Sequence, residues 1–312
     1  MAASVWFFGT GRFAARCLRE LAQSSEYGPS VVVTAPPSPA GRGMKLRPSA
    51  TEEAAVELGL ELHHSALVNR DEELKALFAE KKPDLILVID FGQKVGDPWL
   101  EGPKCGCVNI HPSLLPQYRG AAPVQRSLIN GERLAGVTLF RLVEKMDAGP
   151  IWLQASSAIG PDENAGELLE RMAVLGCDLF KAHAAELLDG QAELTPQDDS
   201  KATLAAKIDK SETKLDPLGR TAQELHDLCR GLAPALSGYF MFRKKRVKVL
   251  QTRVGSCSGE AGTLFASKEG LCLACASGSL LLVQVQPEGK KPLAAADWLK
   301  GLRLDRPERI DA

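Results

Sequence analysis

Apolar positions along this chain follow two different rhythms. Through the first two-thirds, short apolar runs at Ser4 to Phe8, Ser30 to Ala35, Asp84 to Ile89 and Cys105 to Ile110 read as buried strands. Between them, Arg12 to Gln23, Thr51 to Leu58 and Asp71 to Lys81 carry the mixed spacing of amphipathic helices. Strand and helix in alternation predict an α/β, Rossmann-like domain with a parallel sheet. Glu163 to Leu188 is a long helical pattern, and the polar stretch Asp189 to Ser200, with Gly190 and Pro196 inside it, reads as a linker. Beyond it the rhythm changes. One helix near Thr221 to Cys229 precedes apolar runs at 236–242, 246–254, 263–266, 271–276 and 279–286, separated by Gly and Ser. Short strands with such turns predict a smaller β-barrel of the oligonucleotide-binding (OB-like) type. The expected organisation is a catalytic domain at 1–189, a linker at 190–213 and a β-barrel domain at 214–312.

Length agrees, since 312 residues exceed what one hydrophobic core usually organises. Apolar residues at 45% and charged residues at 25% match ordinary globular proteins and exclude disordered or fibrous classes. No window approaches eighteen uninterrupted apolar residues, and the start lacks a basic segment followed by a long apolar run, so a cytoplasmic protein without a membrane partner is expected. The eight cysteines are scattered in apolar runs, and one C-x-x-C and one C-x-C do not make a zinc site, so no metal is expected. Residues 201–312 hold 19 Lys and Arg against 12 Asp and Glu, net +7; residues 1–200 hold 19 against 27, net −8. A basic second domain suits a polyanionic partner, and equally a merely solvated surface.

Candidate chemistry lies at three places. Gly9-Thr10-Gly11 resembles the opening of a dinucleotide-binding turn, but Ala14 stands at the third glycine and Ala35-Pro36-Pro37 replaces the acidic residue after the second strand. Pro36 to Pro48 is a Pro/Gly-rich basic loop carrying Arg42, Lys45 and Arg47, suited to closing over a ligand or to simple connection. At the end of the run Cys107 to His111, alternation puts Asn109 and His111 on one side of the strand, entering the turn Pro112 to Pro116. An amide and an imidazole aimed at one point can donate to a carbonyl oxygen that becomes an oxyanion during acyl transfer.

This last segment, from Asn109-Ile-His111-Pro-Ser-Leu-Leu-Pro116 through Arg119-Gly120 to Pro123-Val-Gln125-Arg126, resembles the signature of folate-dependent formyltransferases. Gly136-Val137-Thr138 and Met146-Asp147-Ala148-Gly149-Pro150 resemble the family's second motif. Pro39-Ala40-Gly41-Arg42-Gly43, then Lys45-Leu46 and Pro48-Ser49, is similar to a loop typical of the members that formylate methionyl-tRNA. Arg246-Val247-Lys248-Val249 and Gln286 to Lys291 resemble their C-terminal domain, so the likeness spans nearly the whole chain.

The resemblance implies transfer of the formyl group of 10-formyltetrahydrofolate to the α-amino group of initiator methionyl-tRNA; a monomer is expected, on no motif of the sequence. Asn109 and His111 would polarise the formyl carbonyl, and Asp147 would orient the histidine and assist proton removal. A strong base is unnecessary, because a free α-amino group titrates at about 7.7 to 8.0. The folate would lie along Ser113, Leu114, Leu115 and Pro116, with its pterin near Val88, Ile89, Phe91 and Gly92. Arg42 and Lys45 would meet the acceptor end of the tRNA, and Arg243, Lys244, Lys245, Arg246 and Lys248 its backbone. Three departures stand out: Gly11-Arg12 where the family usually has Pro and a polar residue, Asp90-Phe91 where an Ala-Tyr-Gly-like segment is usual, and Pro112, shared more with purine-pathway and hydrolase relatives. Alternatives are a relative acting on an amino sugar, a formyl-folate hydrolase, or a non-catalytic RNA-binding module.

Overall fold

Every residue of the run Val5–Gly9 is buried, and so is every residue of Leu85–Ile89. A strand buried on both faces needs unbroken apolar sequence, and these two become the centre of a seven-stranded sheet. The computed structural model describes residues 3–40 and 44–311. In chain order its elements are β1 (Val5–Gly9), α1 (Arg12–Leu21), β2 (Pro29–Thr34), β3 (Ser38–Ala40), β4 (Lys45–Arg47), α2 (Ala50–Glu57), β5 (Glu61–His64), α3 (Glu72–Lys81), β6 (Leu85–Ile89), β7 (Cys107–His111), α4 (Pro123–Ile129), β8 (Leu134–Arg141), β9 (Ile151–Ala158) and α5 (Ala165–Leu188). There follow α6 (Ala222–Leu232), β10 (Gly238–Phe242), β11 (Lys245–Gly255), β12 (Thr263–Ala266), β13 (Leu271–Ala274), β14 (Ser279–Pro287), β15 (Leu293–Ala294), α7 (Ala295–Leu302) and β16 (Glu308–Arg309).

Two compact units result. The first comprises Met1–Gly120, Ala135–Ser157 and Leu169–Leu204; the second comprises Ala121–Leu134, Ala158–Leu168 and Ala205–Ala312. In the first, the sheet order is β5-β2-β1-β6-β7-β8-β9. β5, β2, β1, β6 and β7 run parallel, and β8 is antiparallel to β7. The register pairs Gly9 with Ile89 and Val88 with Asn109, so the carboxyl ends of β1, β6 and β7 share one edge. Open α/β sheets place ligands at that edge.

In the second unit β10-β11-β14-β13-β12-β16 form an antiparallel sheet with β15 beside β14. An antiparallel bridge from Met241 to Asp311 links the sheet's two ends, and the strands form a curled half-barrel where the apolar runs predicted a small β-barrel. Burial alternates along β10, where Phe240 and Phe242 point inward to meet Leu225 and Leu228 of α6 in one apolar cluster. Thr221 starts α6 with a capping box completed by Glu224.

Two segments differ from their sequence reading. The basic loop at 36–48 contains a hairpin in which Ser38 pairs with Arg47, and residues 41–43 lie outside the described residues. The polar stretch at 189–200 is not a loose connection: Thr195 exchanges two 2.8 Å backbone hydrogen bonds with Ile151. Among the described residues no helix is long and apolar enough to cross a membrane.

Candidate active site

β7 ends the sheet's parallel run with Asn109 half-buried and His111 6% exposed. The Asn109 amide oxygen is buried without a hydrogen-bond partner among the described residues. Such an atom forfeits solvation and is uncommon in a folded protein. His111 places Nε2 3.0 Å from the carbonyl oxygen of Tyr118. A carbonyl only accepts, so Nε2 carries the hydrogen, and a neutral ring then presents an unprotonated Nδ1. Nδ1 faces Asp147, with Oδ2 4.0 Å away.

Asp147 is held in a conformation that L residues avoid, with φ at +49°. Its Oδ2 accepts the Gly120 N–H at 2.8 Å. Two residues on, Gly149 approaches β8 so closely that a Cβ there would stand 1.8 Å from the Arg141 carbonyl oxygen, so only glycine completes the turn. The Gln197 amide nitrogen donates to the carbonyls of Asp147 at 2.9 Å and Gly149 at 2.7 Å. Gln197 Oε1 in turn accepts from Arg119, whose Nη2 lies 2.7 Å away. Arg119 is 5% exposed and also pairs with Asp199 at 2.8 Å. Sequence reasoning gave Arg119 and Gln197 no role. A buried guanidinium must find acceptors, and those it finds here lie almost eighty residues away, beyond any local pattern.

The Ser113 to Pro116 turn is fixed from β8 and β9. Buried Thr138 donates its hydroxyl to the Ser113 carbonyl at 2.7 Å and accepts from the Leu115 N–H at 3.0 Å. Gln154 donates to the same hydroxyl at 2.8 Å and to the Leu115 carbonyl at 2.9 Å. Leu114 and Pro116 remain partly exposed, whereas Leu115 is buried. Val88, Ile89 and Phe91 are buried too, with Val88 and Phe91 in the core cluster around Trp6 and Trp99, so what they offer a ligand is backbone. Gly92 is exposed with φ at +75°.

Asp90 sits between them at φ +44°, and its carbonyl accepts the N–H groups of Thr10 and Gly11, both at 3.1 Å. Asp90 is exposed to solvent, yet protein atoms crowd the region around its carboxylate. That desolvation pushes the carboxyl up to about 6, opposed by a hydrogen bond from the Phe13 backbone at the start of α1. A Cβ on residue 11 would lie 1.7 Å from Asp90 Oδ2. Gly11 and Asp90, two separate departures in the sequence, are therefore one packing solution.

Of the basic candidates, Lys45 is exposed on β4 beside exposed Met44 and Leu46, while Arg42 lies outside the described residues. Arg243 is committed to the fold, bonding Glu308 at 2.6 Å and the Leu302 carbonyl at 3.1 Å. Lys244, Lys245, Arg246 and Lys248 are exposed, and the Arg246 guanidinium lies 4.1 Å from the Tyr239 ring centroid. Among the described residues no group of three or more His, Cys, Asp and Glu side chains gathers as a metal-holding cluster.

A family model described as "Formyl transferase" matches residues 3–182, and one described as "Formyl transferase, C-terminal domain" matches residues 207–303. The methionyl-tRNA formyltransferase of Methylobacterium nodulans is 37% identical over 99% of this chain and 100% of its own. That of Chelativorans sp. is 38% identical over 97% of this chain and 98% of its own. Among solved structures, the N-formyltransferase from Helicobacter canadensis in complex with folinic acid and dTDP-3-aminofucose has a TM-score of 0.65 at 16% identity. It covers 90% of this chain and 99% of that one, which is a likeness of fold.

Proposed function

This chain belongs to the formyl transferase family, and from that premise we propose that it transfers the formyl group of 10-formyltetrahydrofolate to the α-amino group of initiator methionyl-tRNA. The observation that carries this reading is the unbroken likeness to methionyl-tRNA formyltransferases, which extends through the basic β unit as well as the α/β unit.

The site geometry supports roles for three residues. Asn109, at the strand's carboxyl end, holds the formyl oxygen through the hydrogens of its amide nitrogen as that oxygen takes up negative charge. His111 keeps its Nε2 hydrogen on Tyr118; Nδ1, on receiving the amine's proton by way of Asp147, donates to the same oxygen. The Asp147 carboxylate, 4.0 Å from Nδ1, takes the proton lost by the attacking amine. The 4.0 Å gap lets one amine nitrogen contact both groups. As the new N–C bond forms and the bond to the folate nitrogen breaks, the proton released by the amine passes to the departing nitrogen. The folate is assigned to Ser113–Pro116 and the backbone of Val88, Ile89, Phe91 and Gly92. The tRNA is assigned to Arg42, Lys45, Lys244, Lys245, Arg246 and Lys248.

The test is transfer of labelled formyl from 10-formyltetrahydrofolate to initiator methionyl-tRNA, with Asp147→Asn beside the unaltered enzyme. Formylmethionyl-tRNA is expected from the unaltered enzyme alone. Formyl appearing instead on a nucleotide-linked amino sugar, or released as free formate, would remove the tRNA from this reading.

A further inference from the structure

We propose that residues 195–203 form a strap that sets the spacing of His111 and Asp147, with Gln197 as its positioning residue. The proposal rests on the reading of Asp147 as the proton acceptor. Both hydrogens of one amide group, at Gln197, are spent on the carbonyls of Asp147 and Gly149, so the turn is gripped on either side of the reactive carboxylate. Asp199, two residues on, holds Lys145 at 2.5 Å, a third grip at the turn's entrance. Arg119 ties Gln197 to Asp199, which keeps the Gln197 amide from rotating and fixes which of its ends faces the turn.

The same strap reaches the histidine's side. The Thr203 hydroxyl accepts the Tyr118 N–H at 2.8 Å, and the Thr203 carbonyl accepts the Arg119 N–H at 2.9 Å. Tyr118 is the residue whose carbonyl holds His111 Nε2. One stretch, residues 195–203, therefore braces both members of a pair that meets at 4.0 Å. Asp147 occupies its left-handed conformation only as long as its surroundings impose it, and Gln197 bonds the backbone of that residue directly. Since both groups must reach a single proton, a shift of a few tenths of an ångström changes how each responds to the other's charge.

The test uses the full chain and two substitutions. Gln197→Met keeps the volume and removes both donors; Gln197→Glu sets a carboxylate against two carbonyl oxygens. Turnover, KM for each substrate, the pH–rate profile and Tm are measured for both, with Asp147→Asn beside them. Gln197→Met is expected to lower kcat by roughly 10- to 100-fold with little change in either KM, and to displace the pH–rate profile. Gln197→Glu should recover relative to the unaltered enzyme as pH falls, because a protonated carboxyl again donates to the turn, while Gln197→Met shows no such recovery. Loss that follows Tm alone, with an unmoved pH profile, would overturn the strap and leave Asp147 standing. Full activity in Asp147→Asn would instead overturn the reading on which the strap depends. Should Gln197→Met fail to fold, Thr203→Val tests the other brace, and an unchanged pH profile there would count equally against the proposal.

Discussion

Asn109 buries an amide oxygen that has no partner among the described residues, at a cost of about 1–3 kcal/mol. Asn109→Ala removes that oxygen, so Tm should stay unchanged or rise slightly, and removes the amide N–H donors too, so kcat should fall by roughly 10² to 10³, the usual loss for one oxyanion donor. His111→Ala should lose a similar factor; normal turnover in either variant contradicts the assigned role. Asp90 makes a different prediction. Desolvation raises its folded-state pKa to about 6, above the roughly 3.9 of an unfolded aspartate, so the native state prefers the protonated form. The associated stability is fully present below about pH 4 and is lost as pH rises through about 6. Asp90→Asn should flatten this part of the stability profile and leave a protein more stable than the parent at pH 7. Thermal unfolding from pH 4 to 7 decides, and parallel curves for parent and variant would remove desolvation as the cause. Sequence alone displayed Gly11 and Asp90 as unrelated oddities, because the 1.7 Å conflict that couples them spans β1 and β6, whose pairing no local pattern reveals.

At the scale of elements, legibility followed how far each segment's partners lie along the chain. β1 and β6 were readable because burial on both faces demands unbroken apolar runs, and β10 because one buried face demands alternation. The strap at 195–203 reads as a polar linker because its side chains are satisfied at Arg119, Asp147 and Gly149, about fifty to eighty residues away. The β3–β4 hairpin hid in the same way, its three-residue strands too short for a periodic signal. Placing Asn109 and His111 together needed only strand alternation, but the arrival of Asp147 beside them came from the family resemblance, and the grip upon it from neither. Thr138 tests such a grip. Thr138→Val keeps the shape but strands the Leu115 N–H and one donor of Gln154, at a cost of about 1–3 kcal/mol. Because Ser113 to Pro116 is the assigned folate wall, KM for the formyl donor should rise more than kcat falls. An unaffected KM in a destabilised protein would make the pinned turn a matter of folding alone.

Across the whole molecule, the net +7 of residues 201–312 overstates what a polyanion can meet, because part of that charge is already spent. Arg243 is held by Glu308 and by the Leu302 carbonyl, next to the strand bridge that closes the half-barrel. Lys245 and Lys248 are different: both are exposed, Lys248 on the face opposite the inward Val247 and Val249 and Lys245 as the first residue of β11. Lysines that neutralise phosphates release counterions, so the affinity they supply should fall steeply with salt. Lys245→Glu combined with Lys248→Glu should raise KM for the tRNA at low salt while leaving kcat and KM for the formyl donor near the parent values. The slope of log KM against log salt should become shallower by about 0.7 to 0.9 for each phosphate no longer neutralised. Arg243→Ala should do the reverse, lowering Tm through the broken Glu308 pair while the salt slope stays put. Were Arg243→Ala to flatten the slope and the lysine variants to leave it unchanged, the tRNA would be meeting this unit on the Glu308 side rather than along the exposed face of β11.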